Sequence, residues 1–316
     1  MTAEDAAVLV LADPRAGTAA QALGVAERLG VPFRSVALEW SAAAKLPLPW
    51  PSLLGLAPAA REAVRRSPPP RLVLSAGRRS APVALWLARR GGGARTVHCM
   101  RPGSGARRFD LLVLGRHDDP APAPNVLPIL GATHRVSPAR LAEARTEWAP
   151  ALADLPRPRV ALLVGGPVRG HGMPAADAAR LVPRTAKRFP SGSVLATASR
   201  RTGAPATAAL AAALGGVPHR LHRWGDAGPN PYLGFLAWAD AVVVTGDSVS
   251  MLSEACATAA PVFVATREEG RHLRLVHSLY EAGQARPLRE AARPFARAPL
   301  DETGRVAAAV RARGLF

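Results

Sequence analysis

Lysine is nearly missing from this 316-residue chain. Lys45 and Lys187 are the only two among 41 basic residues, so almost all positive charge is arginine. Cysteine is as scarce. Cys99 and Cys256 stand far apart, which excludes a disulfide scaffold or a Cys-rich zinc fold and fits a reducing cytoplasm. Aromatics are only 5% of the chain, with two tyrosines, which argues against nucleic-acid modules built on stacking side chains. No apolar run reaches the roughly 18 residues of a membrane span. Glu4 and Asp5 stand where a secretory leader needs positive charge. The expected location is the cytoplasm, with at most a peripheral contact on the inner membrane face. Eight histidines form no HExxH spacing, and His219 and His222 would face opposite sides of a strand, so no metal site is expected. His117 lies in a Pro-rich loop beside Asp118 and Asp119 and reads as solvated. G-x-S-x-G is missing too, which leaves a hydrolase triad unsupported.

What is present is a hydrophobic fraction of 48% against 20% charged residues, enough for real cores. At roughly 150 residues per domain, the length suggests two domains. The net charge is +18. A field of that sign draws phosphates, nucleic acid or an acidic membrane face, and arginine forks suit phosphate oxygens. Nucleic acid has only the charge in its favour and is not the expected partner.

Strands and helices alternate along the chain. Strand-type apolar runs at 6–13, 33–40, 71–76, 95–99, 110–114 and 126–130 are interleaved with helical patterns at 18–30, 58–67 and 81–90. The stretch 41–58 is a proline-broken loop, and 137–155 is a helix interrupted at Pro150. A linker is expected at 155–158. The alternation then restarts, with strands at 159–164, 193–198, 218–223, 241–245 and 261–265. Helices are expected at 174–188, 204–214, 231–239, 250–259, 271–282 and 304–313. The pattern predicts an α/β fold of two Rossmann-like domains, 1–154 and 155–316, each a parallel sheet covered on both faces. Two such halves in tandem predict a cleft between them, lined by strand C-termini.

Four loops carry candidate chemistry. Asp13, Arg15 and Gly17 follow the first strand and open a helix, where free N–H groups suit an anion; the same residues also read as an ordinary turn with Thr18 as N-cap. Gly77, Arg78 and Arg79 precede another helix start. Two arginines there oppose the helix dipole, a placement an anion would relieve, though solvated arginines are an equally simple account. The third loop, 165–172, begins Gly165-Gly166-Pro167 and holds four glycines in eight positions. It fits neither a Walker loop nor GxGxxG. Ser199, Arg200 and Arg201 end the next strand, where an arginine pair suits a pyrophosphate or the 2′-phosphate of NADP. The fourth loop, Thr245-Gly246-Asp247-Ser248, leads into a helix bearing Ser250 and Glu254. Ser248 and Ser250 can donate to phosphate oxygens, and Glu254, four residues beyond Ser250 on the same helical face, can accept the hydroxyls of a ribose. Simple capping by Asp247 or Ser250 is the alternative. Asn230 and Pro231 read as a helix start ahead of Tyr232.

These motifs resemble the bacterial branch of the ELM1-like family, whose members often carry the name nucleoside-diphosphate-sugar epimerase. The matching segments are Asp13-x-x-x-Gly17 with Gln21-Ala22-Leu23-Gly24, GRRSAPVA at 77–84, RRFDLLV at 107–113 and NVLPILGATHRV at 125–136. They continue as LLVGGP at 162–167, ASRRTG at 198–203, NPYLGFLAWADAVVVTGDSVSMLSEAC at 230–256 and LYEAGQARPL at 279–288. The family is similar to GT-B glycosyltransferases. The resemblance implies a C-terminal half that holds a nucleotide-diphosphate sugar, with Glu254 on the ribose. Gly165, Gly166, Pro167, Ser199, Arg200, Arg201, Ser248 and Ser250 would surround the diphosphate, with Thr245 and Asp247 as further donor-site residues. It implies an N-terminal half that holds the acceptor near Arg15, Gly17, Gly77, Arg78 and Arg79. The chain departs from the family where Thr18, and not histidine, follows Gly17, so a histidine base is not carried over. It departs again at 168–171, where Val-Arg-Gly-His follows Gly-Gly-Pro. The epimerase name fits poorly, since neither a GxxGxxG loop nor a YxxxK pair is present.

The expectation is therefore sugar transfer from a nucleotide-diphosphate donor to an anionic or lipid-linked acceptor, without a bound cofactor or metal. Arg200, Arg201 and a helix N-terminus would stabilise the leaving diphosphate, and Asp13 is the candidate base. A non-enzymatic adaptor on the same fold is the alternative, as the plant members recruit partners at a membrane. An NADP-dependent oxidoreductase or epimerase is a third reading; it wants a Tyr-Lys pair, which neither Tyr232 nor Tyr280 supplies.

Overall fold

A strand covered on both faces must be apolar along its whole length. Strands β1 (Val8–Ala12), β3 (Leu72–Ala76) and β5 (Leu111–Gly115) meet that demand almost throughout; β4 (Arg95–Cys99) is buried beyond Arg95 but carries Thr96 and His98 inside, whereas β2 (Phe33–Ala37) and β6 (Val126–Ile129) are only partly buried. The partly buried strands are the edges. In this computed structural model, which describes residues 7–90, 92–167, 172–265, 272–289 and 295–316, the sheet order is β2-β1-β3-β4-β5-β6, all parallel. Helices α1 (Ala16–Leu29), α2 (Pro58–Arg66) and α3 (Ala81–Arg89) are the crossovers. Alternation along β1 sends Val8 and Val10 into one core layer with Val25 and Leu29 of α1. It sends Leu9 and Leu11 into the opposite layer with Val64 and Leu87.

The second sheet repeats the plan. Strands β7 (Arg159–Val164), β8 (Ser193–Ala198), β9 (His219–His222), β10 (Ala241–Thr245), β11 (Val262–Ala265) and the two-residue β12 (Arg286–Pro287) lie in the order β12-β11-β10-β7-β8-β9. The crossovers are α6 (Ala175–Arg188), α7 (Ala204–Leu214), α8 (Tyr232–Trp238), α9 (Val249–Cys256) and α10 (Leu273–Glu281). Strands β7, β8 and β10 are buried at every position.

The α/β architecture with two parallel Rossmann-like sheets is as the alternation predicts, but the division of the chain is not at 154/155. The compact units are Met1–Arg135 with Asp301–Phe316, and Val136–Leu300. Two contact sets move the boundary. Helices α4 (Pro138–Glu147) and α5 (Ala149–Leu152) belong to the second unit. There Arg145 donates to the Ala237 carbonyl at 2.9 Å, Trp238 Nε1 donates to the Arg145 carbonyl at 2.9 Å, and a Cβ on Gly234 would collide with Trp148. The final helix α11 (Glu302–Ala312) returns to the first unit, burying Val306, Ala307 and Val310 against α1.

Each sheet has a topological switch point. In the first unit β1 sits between β2 and β3; in the second β7 sits between β10 and β8. In open α/β sheets, ligands bind beyond the strand C-termini at such a reversal. The loops after β1 and β3, and after β7, β8 and β10, are the four candidate stretches and the Ser199 turn.

Candidate functional site

In the second unit three loops interlock. The Gly165 N–H, just past β7, donates to Thr245 Oγ1 at 2.8 Å, and that hydroxyl donates to Asp247 Oδ1 at 2.7 Å. A Cβ on Gly165 would collide with the Asp247 carboxylate, and one on Gly166 with the Arg201 carbonyl. Glycine is required at both positions by the neighbouring loops themselves. Thr202 closes the set. Its buried hydroxyl donates to the Gly165 carbonyl at 2.6 Å and accepts the Ser199 N–H at 2.9 Å. Nothing in a single Thr after an Arg pair marks it as this keystone, so sequence reasoning passes over it.

The interlock consumes backbone groups and not the neighbouring cations. Among the described residues, neither Arg200 nor Arg201 has an ion pair or side-chain hydrogen bond, and Arg200 is exposed. Ser248 is the N-cap of α9, accepting the Met251 N–H at 3.4 Å, so its own proton remains to be donated. Ser250 lies in the first helical turn and is not the cap; nor is Asp247, whose carboxylate is held by Thr245. Pro167 follows the interlocked glycines, and positions 168–171 lie outside the described residues.

Glu254 is engaged by a neighbouring helix. Its Oε2 accepts the Tyr232 hydroxyl at 2.6 Å. Burial pushes the Glu254 carboxyl up to about 7, although the Tyr232 hydrogen bond pulls the other way. Burial and then the Glu254 charge push the Tyr232 phenol well above its ordinary value. Tyr232 opens α8 with its N–H on Asn230 Oδ1 at 3.0 Å, so the Asn-Pro start does two things: it begins a helix and aims a phenol at α9. Sequence reasoning misses Tyr232 as a site residue, because its place 22 positions before Glu254 carries no periodic signal. Its hydroxyl meets a carboxylate and no lysine.

In the first unit Asp13 is a hub. Its Oδ1 accepts the Arg15 N–H at 2.9 Å and its Oδ2 accepts Trp40 Nε1 at 3.0 Å. Arg79 Nη2 stands 3.6 Å from Oδ2 and its guanidinium lies 5.0 Å over the Trp40 ring. With 7% exposure and three partners, this carboxylate joins three loops. Arg15 is itself the N-cap residue of α1, so Thr18 sits inside the first turn and is not the cap; its methyl instead packs where a side chain at Gly77 would go. Arg15 and Gly17 are exposed. Arg78 and Arg79 line a cleft of about 200 Å³ together with Leu46, Leu48, Pro82 and Gly103. The 41–58 loop therefore supplies one wall of the cleft. Its signal is present in Leu-Pro-Leu-Pro-Trp-Pro at 46–51, apolar residues with no regular period.

Among solved structures, UDP-GlcNAc 2-epimerase from Methanocaldococcus jannaschii is similar over 98% of this chain and 99% of its own, with a TM-score of 0.58 at 11% identity. UDP-GlcNAc 2-epimerase from Neisseria meningitidis, in a structure bound to UDP-GlcNAc, covers 88% and 86% with a TM-score of 0.51 at 14% identity. At these identities the likeness is one of fold. The mitochondrial fission protein ELM1 of Arabidopsis thaliana is 30% identical over 273 residues, 77% of this chain. The chain spans 63% of the length of that plant relative. The family model described as Mitochondrial fission ELM1 matches residues 16–314; with nearly the whole chain inside that match, this protein belongs to the Mitochondrial fission ELM1 family.

Proposed function

We propose that the second unit binds a nucleotide-diphosphate sugar and that the protein transfers the sugar to an acceptor held by the first. The observation that carries this reading is the interlocked β7, β8 and β10 loops at a switch point, with Arg200 and Arg201 beside them and without an ion pair among the described residues. A frame of hydrogen-bonded loop backbone with two guanidinium groups beside it suits a diphosphate, and the leaving group gains charge as the glycosidic bond breaks. Ser248 and Ser250 add hydroxyl donors at the N-terminus of α9. Glu254 accepts ribose hydroxyls once Tyr232 yields its place or shares it. Asp13, already engaged by Trp40, Arg15 and Arg79, positions Arg79 for an anionic acceptor and is not assigned the base role.

A second reading has an observation of its own. Asp13, Asp247 and Glu254 are all taken up by internal partners, as suits a binding protein that performs no chemistry. Calorimetric titration with UDP, GDP and CDP tests the donor site. One nucleotide should bind, and Arg200→Ala and Arg201→Ala should each weaken it about tenfold or more, the scale of a lost charge-assisted hydrogen bond. EDTA should leave the affinity unchanged, because the arginines supply the countercharge. Absence of binding by every nucleotide would overturn the proposal; binding without slow hydrolysis or transfer of the matching nucleotide sugar would select the second reading.

A further inference from the structure

Of the five large hydrophobic side chains exposed among the described residues, three sit within nine positions of one loop: Leu46 (54% exposed), Trp50 (55%) and Leu54 (49%). The loop is not loose. Ser41 N–H donates to the Gly55 carbonyl and Ser52 N–H to the Pro82 carbonyl, both at 3.0 Å. Arg108 donates to the Pro49 carbonyl at 3.1 Å and Arg61 to the Leu56 carbonyl at 3.1 Å. Pro47, Pro49 and Pro51 stiffen the backbone between them. The apolar side chains are thus held outward by a braced frame, an arrangement that marks an interaction site more than scattered exposure does.

The surrounding charge says what the site faces. Between Glu39 and Asp110 the chain carries thirteen Lys and Arg and one acid, Glu62, and Glu62 is paired with Arg66 at 2.8 Å. Arg61 and Arg65 flank Leu54 on one side of the loop. Arg78 and Arg79 line the cleft beside Leu46 and Leu48 on the other. Lys45, one of two lysines in the chain, immediately precedes Leu46 and is exposed. A second copy of a +18 chain would bring like charges together here. A bilayer rich in anionic lipid meets both features at once: headgroups for the cations, and an interfacial region that favours tryptophan and leucine.

We propose that the 46–54 loop is a peripheral membrane anchor that inserts Leu46, Trp50 and Leu54 into the interface of an anionic bilayer, with the neighbouring lysine and arginines on lipid phosphates. Among the described residues no helix is long and apolar enough to cross a membrane. The inference does not depend on sugar transfer and is read without nucleotide.

Flotation of the full chain with vesicles tests it. Wild type should float with phosphatidylcholine vesicles containing about one-quarter phosphatidylglycerol and fall away as salt rises. Trp50→Asp with Leu54→Asp should cut the partition by about tenfold or more at an unchanged unfolding midpoint. Lys45→Ala should cut it about fivefold, the value of one cation near an anionic surface. Arg220→Ala, which removes an exposed cation from β9, should change nothing. If the double variant does not fold, quenching of wild-type tryptophan fluorescence by brominated phosphatidylcholine in the same anionic vesicles takes its place. Four results would overturn the proposal: no flotation of wild type, flotation of the double variant like wild type, equal flotation on pure phosphatidylcholine, or no quenching. A dimer that the double variant converts to monomer while vesicle binding persists would assign the loop to a second copy instead.

Discussion

Glu254 shows what a single residue costs the fold and why it would be kept. A carboxyl pushed from 4.5 to about 7 by burial holds its proton in the folded state where the unfolded chain has lost it. The native state is therefore favoured below pH 4.5 and loses that contribution as pH rises through 7. Allowing for partial solvent access, the loss is about 2 kcal/mol. Glu254→Gln keeps an acceptor for the Tyr232 hydroxyl and removes the charge. The variant should match wild type near about pH 3.5 and be more stable by about 2 kcal/mol at about pH 8, read as the difference between their thermal unfolding curves. The same change should weaken nucleotide binding in the alkaline condition, because an amide has lost the acceptor charge that ribose hydroxyls prefer. Greater stability with poorer binding is the mark of a residue held against the fold for function. If Glu254→Gln were destabilising there, the carboxylate would be a structural partner of Tyr232 and nothing more. The sequence announces Glu254 through its place four residues after Ser250, but gives no sign of Tyr232: a partner on another helix follows from tertiary packing, not from spacing along one.

At the scale of elements, the second sheet depends on how α9 ends. The last carbonyls of a helix lack intrahelical donors, and α9 closes on Ala257 with no glycine cap. Thr258 Oγ1 meets one of them, the Ala255 carbonyl, at 2.8 Å. Arg297, from a distant segment, supplies the other donors. Nη1 reaches the Cys256 carbonyl at 2.8 Å, Nη2 the Ala255 carbonyl at 3.1 Å, and Nε the Ala260 carbonyl at 3.1 Å. Nη1 also reaches Gln284 Oε1 at 3.1 Å, and burial holds the guanidinium below its ordinary pKa. Arg297→Ala should cost about 2–3 kcal/mol by chemical denaturation. Arg297→Lys should recover less than about half, because a point charge cannot span these four acceptors; full recovery by lysine would mean that charge alone is at work. The elements themselves are largely legible in the sequence. Most buried parallel strands are continuous apolar runs, and stretches such as Ala241–Thr245 stand out against Ala- and Arg-rich helices. What is not legible is short or long-range. β12 is two residues, one of them proline, and its pairing comes from β11 and not from any pattern of its own.

The molecule as a whole divides where no local signal marks a division. Pro156 and Pro158 resemble a linker, yet the segment before them packs on α8, and the chain changes unit at Arg135 and Val136. Linker composition reports local stiffness; unit membership is decided by which apolar face a helix finds. The clearest case is α11, which sequence order assigns to the second half and packing assigns to the first. Asp301 accepts the Gly304 N–H at 2.9 Å and starts the helix, Glu302 accepts the Leu130 N–H at 2.8 Å, and Thr303 accepts the His134 N–H at 3.0 Å. Arg311 then caps the end of α1 through the Leu29 carbonyl at 2.6 Å. A chain ending at Leu300 would strip these bonds and uncover the α1 layer that Val306, Ala307 and Val310 bury, the two valines contributing roughly 1.5–3 kcal/mol each. Hydrogen exchange should then show protection collapsing across β1 and β3 while β7, β8 and β10 keep theirs, since α11 forms no part of their unit. The loop proposed to bind vesicles lies in the affected unit and the loops proposed to bind nucleotide in the other, so the shortened chain should lose flotation and retain nucleotide affinity. Equal loss of protection in both sheets would mean that the two units fold as one cooperative whole, and unchanged protection would mean that α11 is an appendage to the first sheet and not part of its core.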